Sequence, residues 1–141
     1  MSTETSKAIC RQFLDEVLNQ RRLDLIEEFV DESIVQYFGA MQVSGVENMK
    51  SGLQMGFDTF PDYLLTVDDE VAEGDKVVFR WTLRGTHEGE YLGVPATGKK
   101  IEQIGAAIYR MANARIVELW FYPDNLGLLQ QFGAIPTPEA A

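Results

Sequence analysis

Cysteine and histidine are almost absent from this sequence, which contains one of each, Cys10 and His87. A single cysteine cannot form an internal disulfide, and small secreted scaffolds usually contain several. A single histidine excludes metal sites and acid–base pairs built from two histidines. Motifs for phosphate loops, dinucleotides, serine nucleophiles and paired thiols are also missing. We therefore expect neither a metal nor a cofactor.

Basic residues and long apolar runs are scarce as well. The 22 acidic and 12 basic residues give a formal charge of −10, which repels phosphate backbones and anionic membrane surfaces. No apolar run approaches the ~18 residues of a membrane helix, and the polar start MSTETSK does not resemble a secretory signal. We expect a cytoplasmic protein that binds neither nucleic acid nor membrane.

The first half of the chain has helical patterning within a predicted single domain, 1–141. Ile9, Phe13 and Val17 recur at four-residue spacing, which predicts an amphipathic helix. Further helices are predicted over 23–30 and 45–60, separated by a short strand, SIVQYF. We place the core at about 5–133, with a frayed Pro/Ala tail at 134–141.

The second half changes to β-branched and aromatic runs separated by turn residues. Four long strands are predicted: YLLTVDDEVAE, KVVFRWTLRG, KKIEQIGAAIYRM and ARIVELWFY. In KVVFRWTLR the apolar and polar residues alternate, as in a half-buried antiparallel sheet. A short helix, LGLLQQF, follows. Helices followed by antiparallel strands predict an α+β fold with helices packed on one face of a curved sheet.

Three segments resemble the SnoaL-like polyketide cyclases and ester cyclases, within the nuclear transport factor 2-like superfamily. They are FPDYLLTVDD at 60–69, RGTHEGEYLGVPATGKK at 84–100 and RIVELWFYPDNLGLLQQFG at 115–133. The resemblance extends over nearly the whole chain. It implies a cone-shaped α+β barrel, a hydrophobic small-molecule ligand, and pairing of copies into a homodimer or higher homo-oligomer through the exposed sheet face.

The resemblance also implies where a catalytic acid would stand. The family's cyclases close a ring by an aldol reaction, using an Asp on the last strand and a His on the strand before. Aligned without gaps, these positions fall at Phe121 and Ala107. Phenylalanine cannot transfer a proton and alanine cannot orient an acid, so an aldol mechanism with this pair is not available.

We expect the pocket to be more apolar than that of a cyclase, with Tyr109 and Gln103 as polar groups. Strand parity places Leu119 beside Phe121, and Gln103, Ala107 and Tyr109 together. The residues predicted to line the pocket are Phe121, Ala107, Gln103, Leu119, Trp81, Phe79, Tyr37, Phe57 and Met49. Gln36 is a further polar candidate beside Tyr37. Aromatic and methionine stripes of this kind also form ordinary cores.

Three residues are candidates for chemistry: Asp124, His87 and Tyr109. Asp124 precedes the last helix, so we favour a helix cap over a catalytic acid. For His87 we favour a histidine bonded to backbone or a neighbouring carboxylate over a general base. Glu118 and Glu102 lie on strands, and we expect them to pair with arginines across the sheet.

These observations leave three functions open. The first is a cofactor-independent cyclase- or isomerase-type enzyme acting on a hydrophobic cyclic or polyketide-like molecule. The second is a binding or scaffold module of the same fold that has lost catalysis. The third is a cofactor-free hydroxylase, as some relatives of these cyclases are thought to be.

Overall fold

The computed structural model describes residues 1–138, which contain three α-helices and six strands. In chain order the elements are α1 (Thr3–Gln12), a π-helix (Phe13–Asn19), a 3₁₀-helix (Leu23–Glu28), β1 (Val30–Phe38), β2 (Met41–Ser44), α2 (Val46–Thr59), β3 (Leu64–Glu73), β4 (Lys76–Thr86), β5 (Lys100–Ala112), β6 (Arg115–Pro123) and α3 (Asn125–Phe132).

The N-terminal helix begins earlier than its apolar pattern predicts, because Ser2 caps it by accepting from the backbone N–H of Thr5. It continues without a break into the π-helix, whose four apolar side chains are all buried. The second predicted helix is the shorter and tighter 3₁₀-helix. The predicted third and last helices are present as α2 and α3.

The six strands form one sheet in the order β2-β1-β6-β5-β4-β3. All neighbouring strands are antiparallel except β1 and β6, which are parallel. The predicted α+β fold with a mostly antiparallel sheet and N-terminal helices is confirmed. Strand β2 was not predicted, because four mostly exposed residues after a turn at Gly39 carry no alternation.

The inner face of the sheet packs against the helices to form the core. Val77, Phe79, Trp81 and Leu83 are all buried, as their alternation along β4 predicts. On the opposite face of β4, Arg80 and Arg84 are exposed, whereas Thr82 is buried and donates to the Asp68 carboxylate. The inner face of the sheet is therefore apolar, and a binding site between the sheet and the helices would be lined by it.

Asn19 fastens the N-terminal helices to the edge of the sheet. Its Oδ1 accepts from the Leu65 N–H and its Nδ2 donates to the Leu65 carbonyl, both at 2.8 Å. Leu65 lies on β3, an edge strand whose outer backbone groups have no strand partner. The Asn19 amide thus takes the place of a further strand at this residue.

Within residues 1–138, no helix combines the length and apolar character needed to cross a membrane. The predicted tail begins after α3, and residues 134–138 form neither helix nor strand. Residues 139–141 of that tail lie outside the described part of the chain.

We predict that Asn19→Ala lowers the free energy of unfolding by about 1–3 kcal/mol, since it leaves a backbone donor and acceptor of Leu65 unpaired. Urea denaturation followed by circular dichroism measures the change. Gln20→Ala is the matched control, because the exposed Gln20 makes only a 3.3 Å bond to Asp15. A cost for Asn19→Ala no larger than that of the control would contradict this role.

Candidate functional site

The two positions that the resemblance marks lie directly opposite each other. Ala107 on β5 pairs with Phe121 on β6. Ala107 is buried, whereas Phe121 is half-buried and contacts Phe38 edge-on, with 5.7 Å between ring centroids. Leu119, two residues from Phe121 on the same face, is buried. A carboxylate and an imidazole at 121 and 107 would therefore face one another, and this chain has a ring and a methyl group there.

Trp81 covers this part of the inner face. Its indole stacks on the Phe121 ring with centroids 5.2 Å apart and an angle of 8° between planes. It also lies over Gly105, where an added Cβ would stand 2.4 Å from Cζ2 of the indole. Trp81 is 2% exposed, and its Nε1 has no hydrogen-bond partner among residues 1–138. We call the two stacked rings the Trp81–Phe121 stack.

Gln36 and Gln103 are the buried amides of the inner face. Gln103 donates from Nε2 to Oδ1 of Asn125, the first residue of α3, at 3.0 Å. Asn125 was not anticipated from the sequence, because nothing in its local pattern shows that α3 returns to β5. Gln103 is therefore a buried polar group, as predicted. Its amide NH₂ group, however, is used to bind α3 through Asn125.

Tyr109 belongs to the core. Its ring meets Phe79 and Phe13 at centroid distances of 5.6 and 6.2 Å, and its side chain is buried. Burial raises the pKa of the Tyr109 phenol well above its ordinary value. At neutral pH this hydroxyl is protonated, so it can donate a hydrogen bond but cannot act as a base.

His87 is fully buried at the end of β4. Its Nδ1 accepts from the Thr97 backbone N–H at 3.2 Å and lies 2.9 Å from the Thr97 hydroxyl. Because a backbone N–H can only donate, Nδ1 acts as an acceptor and the ring proton lies on Nε2, which is buried without a hydrogen-bond partner within residues 1–138. The ring also stacks on Phe132 at 3.8 Å. His87 is thus hydrogen-bonded to the backbone, as we favoured from the sequence. Its second partner is the Thr97 hydroxyl and not a carboxylate.

Asp124 caps α3, as we favoured from the sequence. Its Oδ1 accepts from the Gly127 N–H at 2.9 Å, and its own N–H donates to the Ile104 carbonyl. Gly127 leaves room for the cap, since a Cβ there would stand 2.3 Å from the carboxylate. Among residues 1–138, no hydrogen bond or ring contact joins any two of Asp124, His87 and Tyr109. The three candidates therefore do not form one catalytic group.

The prediction that Tyr37 lines the pocket is wrong. The register of β1 on β6 pairs Tyr37 with Trp120 and Gln36 with Leu119, so Gln36 faces inward and Tyr37 outward. Tyr37 stacks on Trp120 at 5.2 Å and donates to Glu118 at 2.9 Å. Strand parity within β1 could not decide this, because the face depends on the register with a strand far along the chain.

The two strand glutamates have the structural roles predicted for them. Glu118 pairs with Arg110 across the sheet, and this hydrogen bond is the main reason that the pKa of Glu118 is lowered. Glu102 lies 3.4 Å from Arg84. Neither carboxylate is on the inner face, so neither replaces the missing acid.

Met49 and Phe57 are both buried on α2, but only Met49 joins the main core. Phe57 instead meets Tyr63 edge-on at 5.5 Å and lies beneath the Arg21 guanidinium, 5.5 Å from its ring centroid. Two open clefts of about 450 and 520 Å³ are lined by Asp62, Leu64, Arg84, Gly85, Lys100, Ile101, Glu102 and Gln131, and by Leu23, Lys50, Ser51, Gln54, Met55 and Asp58. No predicted pocket residue lines either cleft, and the apolar interior pocket stays a prediction.

Comparison with known proteins agrees with the family resemblance found in the sequence. The family model described as SnoaL-like polyketide cyclase matches residues 8–132. No protein of curated function matches the sequence.

Several solved structures are similar to this chain over nearly its whole length. AclR of Streptomyces galilaeus, a proposed hydroxylase, is 30% identical with a TM-score of 0.86, covering 98% of this chain and 87% of that one. IdmH of Streptomyces antibioticus, a proposed polyketide cyclase, is 31% identical with a TM-score of 0.75, covering 94% and 99%. TsrD of Streptomyces laurentii is similar at 27% identity and a TM-score of 0.86, covering 96% and 99%.

We predict that Asp124→Ala lowers the free energy of unfolding by about 1 kcal/mol, while Asp124→Asn changes it by only a few tenths, because asparagine also caps helices. Thermal or urea unfolding of both variants tests the cap. The pair also tests catalysis, since Asn keeps the cap but removes the carboxylate. If Asp124→Ala were as stable as the native protein, the assigned cap would be incorrect.

Proposed function

Because the chain belongs to the SnoaL-like polyketide cyclase family, we propose that it is a cofactor-independent enzyme with acid–base chemistry of the cyclase or isomerase type. Its substrate would be a hydrophobic cyclic or polyketide-like small molecule bound on the inner face of the sheet. His87, Asp124 and Tyr109 remain candidate participants in the proposal, although each already has a structural contact.

The observation that carries this proposal is the family match over residues 8–132. The opposed pair Ala107 and Phe121 restricts the chemistry, because on the inner face the substrate would meet rings and amides instead of a carboxylate. Buried donors such as the Gln36 amide can stabilise the oxyanion of an enolate as it forms. They cannot remove a proton, so the substrate would need a carbon acid that is already activated, for example between two carbonyl groups, and its proton would pass to a solvent water molecule.

A binding or scaffold module is the second candidate. The same pair favours it, because loss of the acid and its partner removes the family's known route to ring closure while the fold is kept. Turnover of any substrate by the purified protein, without another enzyme present, would decide against this alternative.

A cofactor-free hydroxylase is the third candidate, favoured by the 30% identity to AclR. Such a reaction would place one atom of dioxygen on the substrate and release the other as water. The two electrons required would come from a quinol-type substrate or an added reductant. Oxygen uptake that depends on substrate separates this candidate from a cyclase, which consumes no oxygen.

We predict that the double variant Phe121→Asp with Ala107→His gains at least trace aldol cyclisation of an aromatic polyketide ester. Opposed residues on neighbouring strands have Cβ atoms about 5 Å apart, so the new imidazole could orient the new carboxylate. Partial burial among aromatic rings would raise the pKa of that carboxylate toward the range useful for acid–base catalysis.

The measurement is product formation by chromatography, with each single variant as a control and circular dichroism to establish that all are folded. Activity in the double variant that exceeds both single variants supports the inner face as the substrate site. A double variant that is folded but forms no product would show that this chain differs from a cyclase in more than the acid pair.

We also propose that two copies pair through the outer face of the sheet. This face exposes Ile104 and Tyr122 by 55% and 53% beside the stacked rings of Tyr37 and Trp120. Apolar groups this exposed on one face are a common feature of protein–protein contacts.

We predict that the native protein elutes as a dimer at micromolar concentration and that Ile104→Glu shifts it to a monomer. Leu126→Glu on α3 is the matched control, since Leu126 is 62% exposed but is not on the sheet. Light scattering coupled to size-exclusion chromatography gives the masses. A monomeric native protein, or equal behaviour of the two variants, would count against pairing through this face.

A further inference from the structure

We infer that Trp81 selects the ligand of the inner face, by donating its indole N–H to a carbonyl, quinone or enolate oxygen of a planar ring compound. This inference rests on the proposed function only in taking the inner face as the binding site. It requires no turnover, so it can be tested separately from catalysis.

The Trp81 side chain has a polar atom that the described part of the chain does not satisfy. The indole Nε1 is buried and has no partner within residues 1–138. An indole N–H is a donor and never an acceptor, so only an oxygen or another acceptor can satisfy it. Nearly all buried polar groups in native proteins are bonded, and an exception of this kind calls for a partner from outside the chain.

The position of the indole is fixed by its neighbours. β4 and β5 pair Trp81 with Gly105, and the indole occupies the space that any side chain at 105 would take. The indole is also parallel to the Phe121 ring. The donor is therefore held in one place by backbone and ring contacts, as a group that recognises a ligand must be.

The surroundings define the chemistry of the ligand. Phe121 and Phe38 are only half-buried, so the Phe121 side of the Trp81–Phe121 stack is partly exposed, and we take this as the side from which a ligand enters. Aromatic faces favour flat unsaturated rings, and the N–H favours an acceptor on the ring system. Gln103 already donates to Asn125. Within residues 1–138 two fully buried side-chain nitrogens lack a partner, Nε1 of Trp81 and Nε2 of His87, and of these Trp81 lies in the stack with Phe121.

The test compares 9-fluorenone with fluorene, two tricyclic probes that differ in having a carbonyl or a methylene group. Equilibrium dialysis measures the affinity of each for the native protein and for two variants. We expect the native protein to bind 9-fluorenone about five- to tenfold more tightly than fluorene, which corresponds to one net hydrogen bond. In Trp81→Phe, which keeps a ring but lacks the N–H, the two affinities should become similar.

Trp120→Phe is the matched control, because Trp120 is the other of the two tryptophans and stacks on Tyr37 at the outer face. It should preserve the preference for 9-fluorenone. It also assigns the indole signals in ¹H–¹⁵N spectra, where the Trp81 N–H should shift downfield with 9-fluorenone and much less with fluorene. This second measurement uses native protein and does not depend on Trp81→Phe folding.

Four results would overturn the inference: neither probe binds, both bind equally, Trp81→Phe retains the preference, or the Trp81 N–H signal does not respond. Equal binding would indicate that an ordered water satisfies the indole. A preference for 9-fluorenone without turnover of any substrate would support the inference and contradict the proposed enzymatic function instead.

Discussion

The indole of Trp81 lies against Gly105 on the neighbouring strand, where a Cβ would come within 2.4 Å of the ring. A glycine inside a strand lacks side-chain packing and costs entropy, so its presence is explained by this close approach. The absence of a side chain at Gly105 gives the indole the room in which it stacks on Phe121. Phe121 in turn meets Phe38 on β1. The absence of a side chain at Gly105 thus permits a series of aromatic contacts that extends over four strands, β4, β5, β6 and β1.

The polar chemistry of the interior is restricted by the same packing. His87 accepts the Thr97 N–H at Nδ1 and its ring stacks on Phe132. Tyr109 is kept protonated by burial, and Asp124 is engaged at the start of α3. Each of these three side chains therefore already has a structural contact. The inner face also contains buried hydrogen-bond donors, among them the Gln36 amide and the Trp81 indole N–H.

The elements with strong periodic patterns could be predicted from the sequence, and so could the cap at Asp124. Val77, Phe79, Trp81 and Leu83 alternate, and burial along β4 follows that alternation. What could not be predicted depends on pairing between distant segments. Tyr37 and Gln36 exchange faces on a shift of one residue in register. The partnership of His87 with Thr97 depends on a loop closing back on its strand. Gly105 within QIGAA was a usable signal, because an isolated glycine in a strand marks a close backbone approach.

The parallel pairing of β1 with β6 has a consequence for how the protein is made. Tyr37 and Glu118 are 81 positions apart in the chain, yet they bond across this pair. Until β6 has left the ribosome, β1 has only the four-residue β2 beside it, and a two-stranded ribbon is barely stable in water. Closing so long a loop is slow, because its entropy is lost before the strand contacts form. The apolar surface of the N-terminal elements therefore stays exposed until β6 is synthesised and pairs with β1. During that time the nascent chain can aggregate or bind chaperones.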